Sequence, residues 1–324
     1  MDGPLILFEP DGGPEIGGGH VMRSLTLAGA LARAGAQPLF LADPWIARVV
    51  ERFSGPGIAH TPERPDGFDA VVFDSYRLGV TDHLERGRGR PAMAIDDLAD
   101  RPLGVDLVLD PGPARTASDY AGLVDDGATL LLGPTYALVR PEFAAAREAP
   151  RSGERVLLSL GLTDVGGITA RVANRLLPRL GDAALDVVLG HGAPSREAVE
   201  RLAARDPRVN VHIDTTDMAG LCASATLAVG AGGSSLWERC AAGLPSVVVV
   251  LADNQVPQVD AAEAAGACER VDARAPDFEA ALDRAFTGLM RSPERRARMG
   301  RAAAGLCDGQ GAERAAQALL GLLA

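Results

Sequence analysis

Short aliphatic runs alternate with longer Ala-, Leu- and Arg-rich stretches along this 324-residue chain, and that alternation constrains the fold more than any other feature. LILFE (5–9), PLFLA (38–42), AVVFD (70–74), PAMAID (91–96), DLVLD (106–110) and TLLLG (129–133) read as strands in the first half. A helix fits from about residue 20 to 34, ended by Gly35. Strand–helix–strand alternation implies a parallel sheet with helices on both faces. After the polar segment EFAAAREAPRSGE (142–154) the pattern begins again. RVLLSLG (155–161), DVVLG, VNVHI, ATLAVG and SVVVVLA read as strands, with helices over 168–180, 195–205, 235–242, 256–265 and 311–323. The chain therefore reads as α/β, two successive doubly wound, Rossmann-like domains over residues 1–148 and 149–324, the terminal helix counted with the second. Ligands of such sheets sit beyond the carboxyl ends of the strands, and the cleft between the two domains is the expected site.

Composition removes several function classes. The formal net charge of -11 offers no basic face for nucleic acid, and 4% aromatic residues are too few for a base-stacking platform. RSPERRARMGR (291–301) is locally basic, but at helical spacing it reads as a solvated helix face. No lysine occurs, so Walker A, Schiff-base and Ser-Lys chemistries are excluded. Cys222, Cys240, Cys268 and Cys307 form no C-x-x-C pair and lie among apolar neighbours, as buried thiols of a reducing cytoplasm do. The five histidines show no metal-ligand spacing, so no structural or catalytic zinc is expected. No metal and no cofactor are expected. The start, MDGPLILFEPDGG, lacks the charge pattern of a signal peptide, and SVVVVLA (246–252) is too short to span a membrane. A cytoplasmic protein with no membrane partner is expected, its oligomeric state open.

Two glycine loops carry the functional signal. The first, GGPEIGGGHVMR (12–23), fails the dinucleotide fingerprint because Met22 stands where the third glycine is required. Its N–H groups and helix dipole can still face an anion. His20 opens the helix, where the positive dipole end disfavours imidazolium and favours a neutral base. Arg23, one turn on, is placed to meet a phosphate. The competing reading is that His20 caps the helix and the glycines only turn the chain.

The second loop, AVGAGGSSLWERCAAGLP (228–245), leaves a strand for a Gly-Ala-Gly-Gly-Ser-Ser turn and a short helix ended by Gly243. Gly232, Gly233, Ser234 and Ser235 can cradle a diphosphate. Glu238 can reach ribose hydroxyls, but Ser235-x-x-Glu238 is also the capping-box pattern, and the cap is the favoured reading of Glu238 alone. Asp253, Asn254 and Gln255 then follow the next strand and suggest a site more than a turn. Asp74, Asp96 and Asp97 end strands and read as loop and cap residues.

GGHVMR (18–23), GAGGSSLWERCAAGLPS and LADNQ, with VVFDSY, IDDLADRP, LLGPTYALVRPEF and CDGQGAERA in order, resemble the UDP-sugar hydrolases of pseudaminic acid biosynthesis. These act on UDP-2,4-diacetamido-2,4,6-trideoxy-β-L-altropyranose and are related to GT-B glycosyltransferases. The resemblance implies a GT-B fold, UDP held mainly by the second domain, and inverting, metal-independent attack of water at the anomeric carbon. It implies His20 as the base. It implies substrate contacts at Gly18, Gly19, Tyr76, Glu238, Asn254 and Gln255. The family's Gly-Gly-Ser-Asp after the first strand of the second domain is here Gly161-Leu162-Thr163-Asp164, which puts Asp164 at the substrate. Gly18 stands where a hydroxyl or another small residue is frequent, so both departures bear on the sugar's identity. The expected partner is a UDP-sugar. The alternatives are a glycosyltransferase using a hydroxyl acceptor and a non-catalytic nucleotide-sugar binder.

Overall fold

The computed structural model describes residues 3–149, 151 and 154–323. It divides into two units: residues up to Val139 together with those from Gln310 onward, and Arg140–Gly309.

The first unit holds a seven-stranded, all-parallel sheet. Its strands are β1 (Leu5–Pro10), β2 (Gln37–Leu41), β3 (Ala59–Thr61), β4 (Ala70–Asp74), β5 (Ala92–Ile95), β6 (Leu107–Asp110) and β7 (Thr129–Leu132), in the order β3-β2-β1-β4-β5-β6-β7. The second holds β8 (Arg155–Ser159), β9 (Ala184–Leu189), β10 (Val209–Ile213), β11 (Leu227–Ala231), β12 (Ser246–Val250) and β13 (Glu269–Asp272), parallel in the order β10-β9-β8-β11-β12-β13. The central strands β4, β11 and β12 are buried along their whole length, which is why their sequences are aliphatic runs and not alternations. In each unit the strand order reverses beside its first strand, between β1 and β4 and between β8 and β11. At such a reversal the loops that leave neighbouring strands run to opposite faces of the sheet. Both glycine loops fall at these switch points.

The division between the units differs from the sequence expectation twice. The boundary stands at 139/140 instead of 148/149, because Pro141–Ala146 is a helix whose Phe143 is fully buried and belongs to the second unit. Pro150, Ser152 and Gly153 of the polar segment lie outside the described residues. The terminal helix, Gly311–Gly321, belongs to the first unit. Its Ala312, Ala315, Ala316 and Leu319 join the core that contains Leu27 and Leu31 of the helix Gly19–Arg33. Gly311 starts it so close to the Ala137 carbonyl that a Cβ would overlap the backbone. Small residues permit that approach, and packing, not chain order, decides which core the helix completes.

Candidate functional site

In the first unit β1 runs into a loop in which the Gly17 N–H donates to the Gly13 carbonyl at 2.8 Å with Gly17 at φ +87. The turn demands glycine there. Gly18 then caps the helix without a side-chain bond, and the N–H groups of Gly19, His20 and Val21 find no acceptor among the described residues. A Cβ on Gly19 would meet nothing within 4 Å, so the space in front of this helix start is open.

His20 does not cap the helix. Its Nδ1 lies 2.6 Å from Asp74 Oδ1 and 3.1 Å from the Asp74 carbonyl oxygen. Asp74 ends β4, directly opposite Pro10 of β1, and is wholly buried. With Nδ1–H donated to the carboxylate, the neutral ring carries its lone pair on Nε2. Nε2 has no hydrogen bond among the described residues. The Tyr76 ring meets the imidazole edge-on, centroids 4.5 Å apart. Tyr76 also donates its hydroxyl to Asp97 Oδ2 at 3.0 Å.

Arg23 is turned onto two carboxylates. Its Nε and Nη2 donate to Asp74 Oδ2 and Oδ1 at 2.8 and 2.5 Å, and its Nη1 donates to Asp97 Oδ2 at 3.0 Å. Burial by itself would raise the Asp74 carboxyl, but the Arg23 guanidinium and then His20 hold it at about 2. Burial likewise opposes the charge on Arg23, and Asp74 and Asp97 outweigh it, raising Arg23 above its ordinary range. The loop-and-cap reading fits Asp96, which accepts from the Ala99 N–H at 2.9 Å. It fails for Asp74, which is the hub of the cluster.

In the second unit β11 ends at Ala231, Gly232-Gly233-Ser234 turn, and a helix runs from Ser235 to Ala241. The N–H groups of Gly233, Ser234 and Ser235 have no acceptor among the described residues. Three successive free donors form a concavity suited to an anion. A Cβ on Gly232 would overlap Val259 and press on Gln255, so the loop sits hard against the helix Val256–Ala264. Gln255 turns inward and accepts from the Leu251 N–H at 2.9 Å, which shapes the turn after β12, while Asn254 beside it is exposed.

Two sequence expectations change here. The capping box does not form: the cap is Ser234, with no side-chain bond, and the Glu238 carboxylate makes no hydrogen bond among the described residues. Burial raises the Glu238 carboxyl, opposed by Arg140 and Arg239. Asp164 is wholly buried at φ +46, and its two oxygens accept from the Thr169 and Ser195 N–H groups, each at 2.9 Å. It braces the loop after β8 with both oxygens and is closed off from solvent.

No family model matches the chain. It is 34% identical over 128 residues to the spore coat polysaccharide biosynthesis protein SpsG of Bacillus subtilis, a match spanning only 38% of this chain and 38% of SpsG. It is 25% identical over 224 residues to the UDP-2,4-diacetamido-2,4,6-trideoxy-beta-L-altropyranose hydrolase of Campylobacter jejuni, covering 67% of this chain and 80% of that one. It is 33% identical over 303 residues to the UDP-N-acetylglucosamine–N-acetylmuramyl-(pentapeptide) pyrophosphoryl-undecaprenol N-acetylglucosamine transferase of Sorangium cellulosum, covering 81% of this chain and 73% of that one. The chain belongs to the family that this hydrolase and this transferase share. Acinetobacter baumannii MurG superposes with a TM-score of 0.68 at 17% identity, over 98% of this chain and 99% of that one. Staphylococcus aureus MnaA, solved with UDP, superposes with a TM-score of 0.65 at 15% identity, over 99% and 98%. At such identities the likeness establishes the fold, which is GT-B.

Within this GT-B chain the structure brings His20, Tyr76 and Arg23 together in one unit. It gathers Gly232, Gly233, Ser234, Ser235, Glu238 and Gln255 in the other. Three residues were not read as part of a site. Asp74 and Asp97 gave a usable signal, as acids at strand ends on the switch-point edge. Arg239 gave none: it lies in the core at 3% exposure beneath the second glycine loop.

Proposed function

We propose that the protein acts on UDP-sugars and hydrolyses a UDP-linked 2,4-diacetamido-trideoxyhexose to free sugar and UDP. The substrate class follows the names of the hydrolase and transferase relatives, and the sugar follows the hydrolase. The observation that carries the reading is the buried Asp74–His20 pair, which leaves Nε2 as the lone-pair nitrogen of a fixed ring. In the proposed step Nε2 takes a proton from water, the water oxygen bonds to the anomeric carbon with inversion, and the bond from that carbon to the β-phosphate oxygen breaks. UDP leaves as an anion. The free N–H groups of Gly233, Ser234 and Ser235 are the proposed diphosphate donors, and Glu238 the proposed ribose contact. Diphosphate is a good leaving group, so one base and fixed donors suffice. The paired carboxylates of glycoside hydrolases are not needed.

A glycosyltransferase is the second reading, favoured by the 33% identity to the Sorangium enzyme over most of both chains. The same base would then deprotonate an acceptor hydroxyl in place of water. Incubation with candidate UDP-sugars in EDTA, without acceptor, separates the two. UDP release with an inverted free sugar is expected, and His20→Asn should slow it by about 10²–10⁴-fold while UDP still binds. Release that begins only when a hydroxyl acceptor is added would replace hydrolysis by transfer.

A further inference from the structure

Arg239 is 3% exposed and forms no ion pair with a carboxylate among the described residues. Its Nη2 donates to the Ala231 carbonyl at 2.7 Å, and its Nη1 to Ser235 Oγ at 3.1 Å. Its Nε is buried without a partner. A Cβ on Gly230 would overlap the guanidinium, so the strand has given up a side chain to admit it. Burial depresses Arg239, opposed by the thiols of Cys240, Cys222 and Cys268 and then by Glu238, which shares no hydrogen bond with it. Burial also pushes Cys222 and Cys268 up to about 12, so they stay neutral and supply no counter-charge. A buried cation without a paired anion is costly, and fold stability alone gives no reason to keep one.

Its hydrogen bonds show what it does to the loop. A hydroxyl that accepts from a guanidinium keeps its single proton free to donate. Ser235 is thereby set as a donor beside the unpartnered N–H groups of Gly233, Ser234 and Ser235. The Ala231 carbonyl, whose partial negative charge would repel an anion, is drawn onto Arg239. We propose that Arg239 is a positioning residue for the diphosphate: it turns the loop's donors outward and its carbonyl inward beneath the bound phosphates. This inference rests on the second glycine loop being the diphosphate site, and it adds a residue that acts without touching the nucleotide.

The test compares UDP with uridine, which shares the base and ribose but has no phosphate. Binding of each to the 324-residue chain is measured by calorimetry for wild type, Arg239→Met, Arg239→Lys and Ser235→Ala. Wild type should prefer UDP by more than tenfold. Arg239→Met should lose about 10–100-fold in UDP affinity with uridine affinity within about twofold of wild type. Arg239→Lys keeps the charge without the planar fork and should recover part of the loss. If Arg239→Met fails to fold, Ser235→Ala carries the test, with a UDP-selective loss of about 3–10-fold. Equal losses for both ligands in the folded variants would overturn the inference and leave the site reading standing, since Arg239 would then only pack the loop. A wild type that does not prefer UDP to uridine would overturn the site reading, and the inference with it.

Discussion

At the residue scale the decisive contact is the 2.6 Å bond between His20 Nδ1 and Asp74. With Asp74 held near 2, it stays ionised across the whole working range, so it orients the imidazole without contributing a titration limb of its own. Asp74→Asn keeps the shape but can present an N–H to Nδ1, which moves the ring proton to Nε2 and removes the proposed base. Turnover should fall by about 10²–10⁴-fold with UDP affinity little changed, as steady-state kinetics and calorimetry would show. The same change strips Arg23 of its bidentate partner, so a drop in stability of about 3 kcal/mol should accompany it in urea melts. A second titration belongs to His83, buried against Phe73 and accepting from the Gly104 N–H at 3.3 Å. Burial first, and Arg101 next, lower it from 6.5 to about 4. Below pH 6.5 the unfolded chain takes up a proton that the folded one refuses. Stability is therefore complete above that value and is lost as pH falls toward 4, by about 3 kcal/mol in full. Urea midpoints measured from pH 7 to pH 4 should trace that decline, and His83→Gln should flatten it.

At the element scale the two glycine loops respond oppositely to the same substitution. Gly232→Ala drives a methyl into Val259 and Gln255 and should cost about 1–3 kcal/mol of stability along with UDP affinity. Gly19→Ala meets only open space in the protein and should leave the melting temperature unchanged or slightly higher. If the substrate approaches that helix start, KM should nevertheless rise, and an unchanged KM would remove Gly19 from the site. These elements were legible because central parallel strands write themselves as aliphatic runs. AVVFD is β4 residue for residue, and the helix expected over 20–34 differs from Gly19–Arg33 by one position at each end. Two edge strands, β3, AHT, and β13, ERVD, went unread because these short, half-exposed segments carry no aliphatic run. Side-chain partners were harder still. Ser235-x-x-Glu238 fits a local cap pattern, yet Ser235 Oγ instead accepts from Arg239. Arg23 looked free for phosphate because its two acids lie 51 and 74 residues away. Pairing over such separations is a property of the fold, not of the local sequence.

At the scale of the whole molecule the chain crosses from the first unit to the second and returns. Residues 140–309 are continuous, whereas the first unit is closed by a helix that arrives last. That helix supplies Ala312, Ala315, Ala316 and Leu319, all at most 2% exposed, to a core otherwise made before residue 140. Removing it would expose the Leu27 and Leu31 face of the helix that carries His20. Burial of four such side chains is worth several kcal/mol, about 0.8 for each methylene-sized group removed from water. That is a large share of the stability of a domain this size. A chain ending at Gly309 should therefore show two unfolding transitions, the first unit melting well below its position in the full protein and the second little changed. UDP binding, proposed for residues 140–309, should survive the truncation, while turnover, which on this reading needs His20 held by Asp74, should vanish. A truncated protein that lost both together would mean that the nucleotide depends on the first unit as much as the base does, and the proposed division of labour would have to be abandoned.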